Sequence, residues 1–181
     1  MVGGLLFLAF AYFAVGQAAA NRNDAQTAAD AAALSAAQDR RDQLGAAWKE
    51  NLLDPTKWQQ IFDGTALGLQ ESCWQAEQLA TQNNAVVLHC TPVGALTYTV
   101  DVETNDTVGD SIVPGTENKR STATATAVIE PLCEFELPAE GSADDALPLL
   151  DCKERQWKLD PKGPKDLLPN SEDLFDVHLA D

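Results

Sequence analysis

The chain has 181 residues, 28 of them Asp or Glu against 12 Lys or Arg, and a formal net charge of −16. Such a length holds one modest domain and an anchor, with little room for a second full domain. An exterior this acidic repels polyphosphate, which argues against nucleic acid as a partner.

Residues 1–21, MVGGLLFLAFAYFAVGQAAAN, carry no charge, and the first charged residue is Arg22. Twenty-one helical residues reach roughly 31 Å, close to the ~30 Å of a bilayer core. The sequence therefore predicts a transmembrane segment, with Phe7, Phe10, Tyr12 and Phe13 in its middle. A cleaved secretory signal is the competing reading, but no basic region precedes the apolar run. A spanning segment normally has cytoplasmic Lys or Arg before it. Its lack here implies either a removed basic leader or a start internal to a longer chain. The acids that follow favour a C-terminal part outside the cytoplasm.

Nothing breaks the helical pattern after Arg22 until Asp54-Pro55, so one helix is expected over 1–53, its lower half in the membrane. Ala25, Ala28, Ala29, Ala32 and Ala36 fall on one face by the three–four rule. Small residues let helix backbones approach closely. Two uses of that face stand open: packing on the chain's own domain, or helix-on-helix assembly with copies of itself or a homologous partner. The second is the preferred expectation.

Residues 54–181 are expected to form an extracytoplasmic head. Residues 56–82 read as further helix, with Trp58, Ile61 and Phe62 on one face and Gly64 and Gly68 as interruptions. The period then changes to alternation, over 85–90, 96–104 and 121–130. Leu96, Tyr98, Val100 and Val102 share a face, and Ala123, Ala125 and Ala127 share another. This pattern predicts a small antiparallel sheet with the upper half of the long helix across it. Residues 105–118 read as a loop or hairpin tip. From Pro131 onward proline recurs, and the tail is expected to be mostly irregular, anchored by Trp157 and Leu174-Phe175.

Four cysteines, Cys73, Cys90, Cys133 and Cys152, with no CxxC spacing, suit two disulfides in an exported protein better than a metal knuckle. Three pairings are open. Cys73–Cys90 and Cys133–Cys152 are favoured because each closes a short loop, worth on the order of 3 kcal/mol.

No catalytic set is visible. His89 and His178 stand apart, and no G-x-S-x-G, G-x-x-x-x-G-K-[ST] or H-E-x-x-H occurs. The expectation is a non-enzyme with no cofactor and no small-molecule substrate. Asp101, Glu103, Asn105, Asp106 and Asp110 are rich in oxygen, as calcium prefers, but lack the EF-hand spacing, so no metal ligand is assigned.

The block at residues 25–37, AQTAADAAALSAA, resembles the segment following the membrane helix in TadG-related and TadE-like proteins of the tight-adherence (Tad, or Flp) pilus system. Good resemblance covers about residues 3–45, with an actinobacterial look. It implies a pilin-like or minor pseudopilin subunit of a surface pilus or its assembly machine. Its implied partners are the membrane and like or homologous subunits through the N-terminal helix. The chain departs from processed pilins in having Leu5 where they carry a glutamate, and lacks the D-x-S-x-S metal motif of larger TadG relatives. The alternative is a single-pass surface protein whose acidic head binds a partner or cation. The fold class expected is α+β: a long N-terminal helix on a small antiparallel sheet, with a disulfide-linked irregular tail.

Overall fold

Helix-forming residues run from Val2 to Glu50 without a proline, and they form one helix, α1 (Val2–Glu50). The structure, a computed structural model, describes residues 2–107, 118–137, 147–153, 155–160, 163–164 and 167–180. Within the first twenty residues only the side chains of Gly4, Leu8, Ala9, Tyr12, Gly16, Ala19 and Ala20 are described. The helix stops three residues short of the expected Leu53. Asn51 folds back, its side-chain amide donating to the Ala47 carbonyl at 2.8 Å, and Pro55 opens a single 3₁₀ turn, Pro55–Lys57.

The helical stretch expected over 56–82, interrupted at Gly64 and Gly68, forms two short helices, α2 (Trp58–Phe62) and α3 (Cys73–Gln82). Gly64 (φ +73°) and Gly68 (φ +86°) lie between them in the left-handed region, which favours glycine and ends helical geometry. Three strands follow, β1 (Ala85–Pro92), β2 (Thr97–Thr107) and β3 (Arg120–Pro131), joined as an antiparallel meander. Along β2, Tyr98, Val100, Val102 and Thr104 turn inward, and along β3 Ala125, Ala127 and Ile129 do. The alternation read from the sequence thus maps onto one buried face.

The tail carries more regular structure than its prolines suggest. It is not wholly irregular, because its last described segment, β7 (Phe175–Leu179), pairs antiparallel with β3 and makes the sheet order β1-β2-β3-β7. A second sheet is built from three-residue strands, β4 (Cys133–Phe135), β5 (Leu150–Cys152) and β6 (Arg155–Trp157). One turn of helix, α4 (Ser171–Leu174), leads into β7. Asn170 closes its start in a capping box with Asp173.

The core sits between α1, α3 and the inner face of the four-stranded sheet. One end is closed by an aromatic cluster in which Trp58 lies 5.3 Å from Trp48 and 5.2 Å from Phe135, and Phe62 lies 5.3 Å from Phe175. Two disulfides, Cys73–Cys90 and Cys133–Cys152, are formed, the pairs favoured on loop length. The first ties α3 to the edge strand β1, and the second joins residues directly opposed in β4 and β5. Of the expected tail anchors, Leu174 and Phe175 are fully buried. Trp157 is half-buried, with the Arg155 guanidinium 3.9 Å over its ring.

Candidate functional site

The feature that sets this molecule apart is α1, which changes surroundings partway along its length. From Ala25 upward it is wrapped by its own domain. Ala25, Ala28, Ala29, Ala32 and Ala36 are each fully buried, as are Ala33, Ala37, Leu44 and Trp48. The elements packed most closely on the helix are β3, α3 and β2, with β7, α4 and α2 also touching it. The helix packs on β3, where Ala125 and Ala127 are buried, and short side chains on both elements allow a close approach. The five-alanine face was expected to serve assembly. It is instead covered by the chain's own head.

One consequence is testable. Ala32→Leu adds carbons where nothing can move aside, and is expected to lower head stability by about 1–3 kcal/mol. Urea unfolding of the full chain measures this. An unchanged midpoint would show that the face is open after all.

The wrapping ends at Asn21. Its side chain is 9% exposed, its amide donates to the Asp106 carbonyl at 3.3 Å, and its Oδ1 accepts from the Thr104 hydroxyl at 3.3 Å. Thr104 Oγ1 also accepts the Ser121 amide. This polar knot binds α1 to the lower end of β2 and β3. Below it the described side chains are exposed: Leu8 is 65% exposed and Tyr12 82%, while Ala19 still borders a groove with Thr122, Ala123 and Thr124 of β3. Phe7, Phe10 and Phe13 have side chains outside the described residues. Among the described residues, no helix is long and apolar enough to cross a membrane.

Above the knot, α1 keeps one outward strip. Ala31, Leu34, Ser35, Gln38, Asp39 and Asp42 border an open groove of about 410 Å³ with Gln75 and Leu79 of α3. Higher still, Gly45 explains itself. A Cβ there would stand 2.8 Å from Ser171 Cβ, so only glycine lets α4 lie against the helix. Periodicity could not reveal Asn21, Thr104 or Gly45 as contact points, because their partners are more than eighty residues away in the chain.

The oxygen-rich stretch does not converge. Asp101 accepts from the Thr124 hydroxyl at 2.6 Å, Glu103 lies 3.3 Å from Arg120, and Asp106 accepts from Asn84 Nδ2 at 2.5 Å. Asn105 turns its amide to Asn84, and Asp110 lies outside the described residues. Asp101 and Glu103 are engaged by separate neighbours, and Asn105 and Asp106 share Asn84.

A single long helix carrying a small, disulfide-linked α+β head is the class of protein that this geometry defines. Residues 1–39 match the family model described as "Putative Flp pilus-assembly TadE/G-like". The match covers the lower helix, the knot residue Asn21 and the alanine face up to Asp39, and it is the family that the alanine block resembles. No curated protein and no solved structure matches the chain.

Proposed function

We propose that the chain is a pilin-like or minor pseudopilin subunit of a Tad-type surface pilus or its assembly machinery. Residues 1–21 lodge in the membrane, and the head stands outside the cytoplasm. The observation that carries this reading is the division of α1 at Asn21. From Ala25 upward the helix buries one face in its own domain; below Asn21 the segment is uncharged and the described side chains are exposed. Exposed Leu and Tyr on a helix without charge call for a lipid or protein partner. The match at residues 1–39 supports the pilus context.

Self-association, on this reading, runs through the lower helix and not through the alanine face. The role is structural. His89 and His178 are each exposed beside an aspartate, at 3.5 and 3.0 Å, which suits a solvated pair better than a catalytic one.

The test is to shear native cells, separate released filaments from the membrane pellet, and identify the chain and its N-terminus by mass spectrometry in each. A pilus subunit is expected in the filaments, and an assembly component in the membrane pellet, resistant to carbonate washing. A chain washed free of both would overturn the reading. A companion variant, Leu8→Lys with Tyr12→Lys, is expected to release the protein from both fractions while the head's unfolding midpoint stays unchanged, because neither side chain touches the head.

A further inference from the structure

On the outer face of the sheet, β3 and β7 place two carboxylates directly opposite each other. Glu130 is paired with Asp176 in the register, and His178 comes next on the same face of β7, opposite Val128. Like charges directly opposed across strands destabilise a sheet. The cation that offsets them is Lys153, reaching over from the turn after β5, its Nζ 2.8 Å from Glu130. The Lys153 ammonium is held above its usual pKa, chiefly by its hydrogen bond to Glu130, then by the charges of Glu130 and Asp176. Lys153 is 61% exposed, however, and a long flexible stem can swing away. His178 Nδ1 lies 3.0 Å from Asp176 Oδ2, and one ligand atom from each of Glu130, Asp176 and His178 falls within 4.8 Å of the others.

We propose that Glu130, Asp176 and His178 form a surface site for zinc, which clamps the tail strand β7 onto β3. The donor set carries the choice of metal. An imidazole nitrogen with two carboxylates suits a borderline transition cation, whereas calcium and magnesium take all-oxygen shells of six or more. Zinc bonds at about 2.0–2.2 Å set tetrahedral ligands roughly 3.3–3.6 Å apart, so His178 and Asp176 stand near that spacing and Glu130 needs a change of side-chain rotamer. The three Cα positions are already held by the β3–β7 ladder. Water completes the shell. The metal displaces Lys153 and supplies the same charge neutralisation with directed bonds. It links strands that are distant in the chain, and binding to the folded state alone stabilises that state.

The experiment uses the full chain in detergent micelles, stripped with EDTA and titrated with Zn²⁺ by calorimetry and with Co²⁺ by visible absorption. One saturable site per chain is expected. His178→Asn and Glu130→Gln, both at exposed positions, should each weaken it at least about tenfold, the lower end of what even outer-shell partners contribute. Lys153→Met should tighten it by removing the competing ammonium. Glu172→Gln, at a nearby acid outside the cluster, should leave it unchanged. Zinc should raise the melting temperature of the wild type and not that of His178→Asn. Diffuse binding without a saturable site, or a His178→Asn variant that binds as the wild type does, would overturn the proposal. Neither result bears on the pilus reading, which rests on α1.

Discussion

Trp58→Ala is expected to lower the stability of the head by about 3–5 kcal/mol, the largest loss foreseen for any single side chain here. Trp58 is fully buried and packs against both Trp48 and Phe135. Its Nε1–H also donates at 3.0 Å to the Asn51 carbonyl, which accepts the Asp54 amide as well, so truncation leaves a cavity and removes one of two hydrogen bonds holding the turn just past the end of α1. Small domains are stable by only about 5–15 kcal/mol in total, so the variant should be close to unfolding at room temperature. Trp48 offers the internal contrast. It is equally buried, but its indole N–H has no hydrogen-bond acceptor among the described residues. Trp48→Phe removes that unpaired donor along with part of the ring, and should cost much less than Trp58→Ala. Urea unfolding followed by circular dichroism compares the two. Equal losses would mean that packing volume alone sets the energetics of this cluster.

Removing the Cys133–Cys152 bridge by a double serine substitution should cost about 3 kcal/mol. The linked residues are 19 apart, and each sits in a three-residue strand. Strands that short do not hold a sheet by their own ladder. The loss should therefore appear first in β4, β5 and β6, as early proteolysis between residues 133 and 157, before the four-stranded sheet opens. The Cys73–Cys90 bridge spans a similar loop of 17 but ties down a ten-residue helix that also buries Ala76 and Ala80. Its loss should leave α3 docked. Identical cleavage patterns in the two double variants would refute this local division of labour.

Several of these features are legible from residues alone because their cause is local. Helix α1 follows from an unbroken run of helix formers up to Pro55, and its actual end differs by three residues because the Asn51 side chain folds back on Ala47. β2 and β3 follow from alternation. The break between α2 and α3 was legible as Gly64 and Gly68, but not as ten non-helical residues. Both have positive φ, and at Gly64 the approach of Ala95 and Leu96 also leaves no room for a side chain, since a Cβ there would stand 2.9 Å from Leu96 Cγ; Gly68 faces open space. β7 left no usable signal. Phe175-Asp176-Val177-His178-Leu179 alternates over only five residues, behind a proline-rich stretch, and it becomes a strand because β3 offers it an edge.

The sequence by itself determined the uncharged N-terminal segment, the long helix, the alanine face, the alternating strands and the cysteines that bridge. All of these depend on which residues sit within a few positions of one another. Only the tertiary structure decided what covers the alanine face. A stripe of small residues is equally suited to a neighbour's helix or to the chain's own sheet, and the choice falls to the sheet because Ala125 and Ala127 present a matching small surface within the same chain, at no cost in association entropy. The same is true of the Asn21 knot and of Glu130 opposite Asp176, which are brought together by strand register, a property of paired elements and not of either segment alone.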